Sequence, residues 1–469
     1  MPDILWRKEE ILSAISGDAI GNLHDNYKDI IIDSRNVTDG SIFFAIKGHN
    51  LDGHDYAKQA YANGASLIII EKSKLYLFTD DNIPMLVVDD VLKALEKLAR
   101  FSRKRSKAKI IAITGSSGKT TLKEMMASAL SCYGKTYANP ASFNNHWGVP
   151  LSMARLPIDA EYGVFEMGMN HPGELQYLCD IVRPFMTVIT NIAPAHIGNF
   201  ASIDAIAEAK SEIYSHQLRE GIALINSDID YYEILSNKAR SFGIKNIKGF
   251  GKKRNSHCIL IDYKQVKGGG ELTYEMNEQI CKITISLSGE YLAYNVLATL
   301  SAIDLMGNDV EKALLKIMSF NALKGRGLEI KLNLGNYREA LLIDESYNAN
   351  PESMVQAIRN TVQRESTGRI ILVLGDMLEL GSQSKIMHEE LFHTIHNGKV
   401  DIVYLIGENM QYLANKLCNS NLSVTWVHSV IEIIPLLENI ISDGDIVMVK
   451  SSNSIATHKI VKSLIDKYK

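Results

Sequence analysis

Ile110-Ile111-Ala112-Ile113-Thr114-Gly115-Ser116-Ser117-Gly118-Lys119-Thr120-Thr121 runs from an unbroken apolar stretch through a glycine-flanked turn. It leads into a stripe of Leu122, Met125, Met126, Ala129 and Leu130. A short continuous apolar run predicts a strand buried on both faces, and the stripe predicts a helix. Glycines in such a turn let backbone N–H groups close around phosphate oxygens, and the helix N-terminus adds positive potential. Lys119 suits the outer phosphates and the Thr120 hydroxyl suits Mg²⁺. Ile113 stands where the usual form of this loop has its first glycine. Gly115, Ser116, Ser117, Gly118, Lys119, Thr120 and Thr121 are therefore the expected ATP or GTP site.

Outward from that stretch the strand–turn–helix pattern repeats. Val164-Phe165, Thr187-Val188-Ile189 and Ile222-Ala223-Leu224-Ile225 read as further buried strands of a parallel sheet covered on both faces. Residues 244–288 alternate around Gly268-Gly269-Gly270 and predict an antiparallel edge. Beyond about Phe320 a second series begins, with strands at Ala340–Ile343, Ile370–Leu374, Ile402–Ile406 and Ile446–Val449. That doubly wound pattern predicts ligands beyond the carboxyl ends of its strands. Residues 1–106 mix short apolar runs with turns and end in a helical segment over 91–102. Arg103-Lys104-Arg105-Ser106-Lys107 then reads as a solvated connector. The expected fold is α/β in three domains: a mixed N-terminal domain over 1–106, a central P-loop domain over 107–318, and a Rossmann-like domain over 319–469.

Composition narrows the function. The chain has 469 residues, with 50 Lys plus Arg against 54 Asp plus Glu, a formal net charge of −4. It is too long for one core and too near neutrality for a sequence-independent pull on nucleic acid or anionic lipid. No apolar run approaches the roughly 18–20 residues that span a bilayer, and the charged start does not read as a signal peptide. Five scattered cysteines, with no Cys-x-x-Cys pair, give neither a disulfide framework nor a zinc site. A cytoplasmic protein is expected, with no nucleic-acid partner and no membrane insertion.

Other polar residues gather at strand ends. Glu166 follows its strand on the side of the glycine-rich turn, where a carboxylate can hold Mg²⁺. His196 also follows a strand and reads as a metal ligand or a polar cap. Lys210 is an ordinary helical residue. Asn144 and Asn145, beside His146-Trp147-Gly148, read as a substrate-binding turn or a loop-holding one. Asp344-Glu345-Ser346-Tyr347-Asn348-Ala349-Asn350-Pro351 crowds hydrogen-bonding groups at a strand's carboxyl end, which suits a ligand better than packing.

In order, these segments resemble the Mur ligases, ATP-dependent amide-forming enzymes of peptidoglycan synthesis. The resemblance rests on Asp33-Ser34-Arg35-Asn36-Val37 and Asp52-Gly53-His54 at the start. In the middle it rests on the P-loop, Ser142 through Leu151, Glu166-Met167-Gly168, Ala195-His196 and Ala209-Lys210. At the end it rests on Lys324-Gly325-Arg326-Gly327, Asp344 through Pro351, and Gly375-Asp376-Met377-Leu378-Glu379-Leu380-Gly381. The last two runs are similar to the branch that joins D-alanyl-D-alanine to UDP-N-acetylmuramoyl-tripeptide. Two positions depart from the family: Tyr291 replaces a common His, and Lys450-Ser451-Ser452-Asn453 replaces a Lys-Gly-Ser pattern.

The resemblance implies a reaction and its residues. ATP phosphorylates the tripeptide's carboxylate, and the amine of D-alanyl-D-alanine displaces phosphate. Lys119, Glu166, His196 and Lys210 are implied as catalytic, the last as a lysine that related ligases carbamylate. Thr120, Glu166 and His196 are implied as ligands of two Mg²⁺ ions. Asn295, Arg326 and Asp344 are implied on the nucleotide, Ser34, Arg35, Asn144 and Asn145 on the UDP-sugar peptide, and Asn348 and Asn350 on the dipeptide. A monomer is expected. The alternative within this class is an amide synthetase for another acid–amine pair, and outside it a P-loop switch or a kinase.

Overall fold

The computed structural model describes residues 4–48, 50–78, 82–140 and 143–468. Ser142 of the motif above and residues 1–3 of the charged start lie outside them. The chain forms three main sheets of five, nine and six strands, with a two-stranded ribbon near the start.

The central sheet carries the buried strand Lys109–Thr114. Ile111 and Ile113 pack with Leu122, Met125 and Met126 on one face. Ile110 and Ala112 pack with Val149 and Leu151 on the other. Alternate side chains of one strand thus enter two apolar layers, so the run has no polar alternation. Tyr162–Glu166 lies parallel on one side of this strand and Met186–Ile189 parallel on the other. The strand order therefore reverses at Lys109–Thr114, which opens a crevice beyond its carboxyl end. Cys258–Val266, Gly269–Met276 and Gln279–Ile285 form the antiparallel edge expected over 244–288. Asn246–Gly251 belongs instead to the parallel part, beside Ile222–Asn226.

The C-terminal sheet runs Leu328–Gly335, Arg338–Glu345, Ile446–Lys450, Ile370–Gly375, Ile402–Ile406 and Ser423–Val427. It is parallel except for its first hairpin. The N-terminal sheet is parallel except for Asp18–Ile20.

The basic stretch at 103–107 is only partly a solvated connector. Helix Val91–Arg105 continues through its first half and packs on helices Gly148–Ala154 and Glu174–Val182. Arg103 donates from Nε to the Val182 carbonyl at 2.7 Å and from Nη2 to the Arg183 carbonyl at 3.0 Å. These carbonyls end helix Glu174–Val182, where an α-helix leaves acceptors unpaired and favours a cation. Arg105 pairs with Glu10 at 2.9 Å and lies 3.6 Å over the Trp6 ring. The charges of Arg103 and Arg105 are spent on structure, while Lys104 and Lys107 are exposed.

Candidate functional site

A cavity of about 1170 Å³ lies where the central and C-terminal sheets meet. Its floor is the glycine-rich loop. Gly115 sits at φ +150°, and a Cβ there would stand 1.9 Å from the Thr190 hydroxyl, so only glycine fits this approach. The loop is held from behind by the next strand's turn. Asn191 accepts from Ser117 N at 2.9 Å, and Ser116 Oγ donates to the Ala193 carbonyl at 2.9 Å. Helix Lys119–Leu130 starts here, and Leu122 N bonds the Gly118 carbonyl at 3.0 Å. The preceding first-turn amides are those a helix leaves for a ligand, and they aim at the cavity. The Lys119 ammonium rests on the Gly115 carbonyl at 2.7 Å.

Glu166 organises the next layer. It is buried and makes no ion pair among the described residues. Thr120 Oγ1 donates to its Oε2 at 2.6 Å, and Asn144 Nδ2 donates to its Oε1 at 2.7 Å. Asn139 fixes the strand end, accepting from Glu166 N at 2.8 Å. A buried carboxylate touching a threonine hydroxyl is a hard oxygen donor set, which fits Mg²⁺.

Three basic groups face this carboxylate region. Burial holds the Lys119 amine below its ordinary value, with Glu166 pulling it back up. Burial and the neighbouring Lys119 push Lys210 well below its ordinary value. His196 is also lowered by burial, against the pull of Glu379. Burial thus disfavours the charged form of each, the direction that a metal-binding imidazole or a reactive amine needs.

The C-terminal sheet closes the cavity. Arg326 lies 3.9 Å over the Tyr347 ring and faces the loop. Asn350 caps helix Pro351–Val362 and also donates to the Ser116 carbonyl at 3.3 Å. Glu352 accepts from Asn191 Nδ2, and burial raises its carboxyl to about 7. Lys450 pairs with Glu345 at 3.3 Å and donates to the Asn348 carbonyl at 2.9 Å. At the far end the buried Nδ2 of Asn295 has no hydrogen-bond partner among the described residues, although the residue lines the cavity. An orphaned donor there suits a ligand acceptor.

Most residues expected from the sequence therefore share one cavity: Ser116 through Thr121, Asn144, Asn145, Glu166, His196, Lys210, Asn295, Arg326, Asn348 and Asn350. Gly115 lies behind the loop. Asp344 is buried and does not line the cavity. It accepts from Gly325 N at 2.8 Å and Ser346 N at 3.1 Å, and so shapes the turn that presents Arg326. Ser34 and Arg35 lie in the short 3-10 turn Ser34–Asn36 that follows strand Asp29–Ile31 of the N-terminal sheet, and do not line this cavity. Ser34 contacts Gln59, and Arg35 pairs with Asp33 at 2.6 Å. Sequence reasoning gave no role to Asn191, Glu345, Glu352, Glu379 or Lys450. Glu352 and Glu379 sat within or beside quoted motifs, but nothing in the chain order shows what they touch.

Comparison with known proteins agrees with this geometry. The Mur ligase family, catalytic domain, matches residues 26–103. The Mur ligase middle domain matches residues 113–303, and the Mur ligase, glutamate ligase domain, matches 333–453. The UDP-N-acetylmuramoyl-tripeptide--D-alanyl-D-alanine ligase of Rickettsia prowazekii is 32% identical over 98% of this chain and 99% of its own. The chain belongs to the Mur ligase family. The Mur ligase of the same description from Bacillus subtilis is 30% identical over 93% of each chain. Among solved Mur ligases, MurF from Acinetobacter baumannii superposes with a TM-score of 0.86 at 28% identity, over 99% of this chain and 100% of that one. MurF from Thermotoga maritima, solved in complex with ADP, gives 0.79 at 26% identity, over 94% of this chain and 97% of that one.

Proposed function

We infer that this chain is an ATP-dependent, ADP-forming ligase that adds D-alanyl-D-alanine to UDP-N-acetylmuramoyl-tripeptide, a step of peptidoglycan precursor synthesis. One observation carries the reading: the Tyr347 to Ser353 segment touches the phosphate loop, through Asn350 on Ser116 and Glu352 on Asn191. A ligase needs this proximity. The γ-phosphoryl group moves to a carboxylate oxygen of the tripeptide, and ADP departs. The amine nitrogen then attacks the acyl carbon, and phosphate leaves with that oxygen as the amide forms.

The chain's own residues serve each stage. Amides at the start of helix Lys119–Leu130 and the Lys119 ammonium oppose charge that develops during transfer. Arg326, fixed by its ring contact, adds positive charge from the other sheet. Thr120 and Glu166 would hold one Mg²⁺, and Glu166 and His196 a second, which a carbamate on Lys210 would help to place. Such ions screen the repulsion between carboxylate and triphosphate. Among the described residues no group of three or more His, Cys, Asp or Glu could hold a metal by itself. Asn144 and Asn145 face the acid, and Asn348 and Asn350 the amine. Ser34 and Arg35 belong to the nucleotide end of the peptide substrate. Closure of the two sheets excludes water from the acyl phosphate.

Among the described residues no helix is long and apolar enough to cross a membrane. The proposal places a monomer in the cytoplasm. Phosphate release tests it directly: release requires both the UDP-tripeptide and D-alanyl-D-alanine. Release with a different amine alone would shift the assignment to another acid–amine pair. Release with no amine would favour a switch or a hydrolase.

A further inference from the structure

The motif at residues 375–381 has no part in the chemistry above, yet it is rigidly held and reaches the other sheet. Asp376 accepts from Met410 N at 2.8 Å and from Asn409 N at 3.1 Å. Met377 N donates to the buried His388 Nε2 at 3.0 Å, and Leu378 N donates to Ser452 Oγ at 2.9 Å. These anchors lie within the C-terminal fold. They leave Glu379 projecting outward, in the left-handed region at φ 62°.

Opposite stands His196, also left-handed at φ 58°, at the start of the turn Ile197–Asn199. Its Nδ1 meets the Glu379 carboxylate. Beside that contact Gly198 N donates to the Glu379 carbonyl at 3.0 Å. The backbones interlock so closely that a Cβ on Gly198 would stand 2.8 Å from Gly381 N and 3.0 Å from the Glu379 carbonyl oxygen. Nothing flexible fills that gap, because both obstructing atoms are backbone. Two backbone turns, one from each sheet, are thus shaped to fit one another.

We propose that Glu379 is a positioning residue delivered across the boundary between the sheets, which orients His196 toward the phosphate site only when the two turns dock. A carboxylate on Nδ1 fixes the tautomer and ring plane and leaves Nε2 bare for a ligand, as outer carboxylates do for metal-binding histidines. His196 lines the cavity, so its readiness becomes a report that the amine-bearing sheet has arrived. This inference rests on the ligase reading.

Full-length protein tests it with three readouts. Imidazole NMR, with the His196 signal assigned by its loss in H196Q, reads the tautomer without substrates. Solution X-ray scattering reads closure. Steady-state kinetics separates kcat from KM. Far-UV circular dichroism checks that each variant is folded and stays at the wild-type signal. Expected results are an Nδ1-protonated His196 in the wild type, its loss in E379A, and a fall in kcat of about 10–100-fold with KM for ATP unchanged. E379Q, which still accepts from Nδ1, recovers most of kcat. G198A keeps Glu379 but blocks docking, so it shows the same kcat loss and a larger radius of gyration. Wild-type kcat and tautomer in E379A, or wild-type kcat and scattering in G198A, would overturn the proposal. If the wild type itself releases no phosphate with acid and amine, the ligase reading fails. The tautomer and scattering would still judge the clasp.

Discussion

The glycine-rich loop at residues 115–121 and the segment at residues 347–353 face one another across one cavity but are built in opposite ways. The loop is complete within its own sheet: Asn191, Ala193 and Glu166 hold it, and its first-turn amides remain available. The segment is finished only by its neighbour, since Asn350 and Glu352 spend polar groups on Ser116 and Asn191. The difference separates grip from assembly. The phosphate loop is built within the central sheet, with Arg326 added from the other sheet, whereas the amine side exists as a site only after the sheets meet.

The largest expected effect falls on the grip. Lys119→Ala should cut acid- and amine-dependent phosphate release by about 10³-fold while leaving solution scattering unchanged. A change in scattering would show that the loop also sets closure, and the contrast would break. Lys450→Ala comes next and acts on the C-terminal sheet. The side chains of Lys450 and Glu345 are 4% and 13% exposed, so removing the cation strands a nearly buried carboxylate. A loss of about 3 kcal/mol is expected in urea unfolding, with ADP affinity intact. Unaltered stability would mean that Glu345 reaches solvent or another donor.

The smallest effect sharpens the contact itself. Burial raises the Glu352 carboxyl from the usual range to about 7. A raised acid favours the docked state while protonated, and that preference fades as pH climbs from the ordinary carboxyl value through about 7. Glu352→Gln keeps a hydrogen-bonding group that cannot ionise. It should flatten the pH dependence of KM for the amine by a few-fold across neutrality. A variant profile that still bends like the wild type would assign the titration to another group.

The same contrast explains what the amino-acid sequence disclosed. The loop was legible because its chemistry resides in contiguous residues, where glycine spacing and a following helix suffice. The three sheets were legible because Ile42 to Phe44, Ile110 to Ile113 and Ile370 to Leu374 are buried on both faces and so lack polar alternation. The role of Arg103 was not legible, because the helix-end carbonyls of Val182 and Arg183 lie some eighty residues downstream and only folding brings them together. Glu379 and Glu352 were hidden for that reason, as both act on atoms of another sheet. Asp344 stood out at its strand end as a ligand contact, yet its carboxylate is turned onto Gly325 and Ser346.

Carboxylate activation is the claim on which the rest depends, and the fate of one oxygen tests it most directly. The UDP-tripeptide carrying heavy oxygen in its reacting carboxylate is incubated with ATP and D-alanyl-D-alanine, and the inorganic phosphate is analysed by mass. One labelled oxygen in each phosphate released is the predicted result. Unlabelled phosphate formed alongside the amide would contradict an acyl-phosphate route.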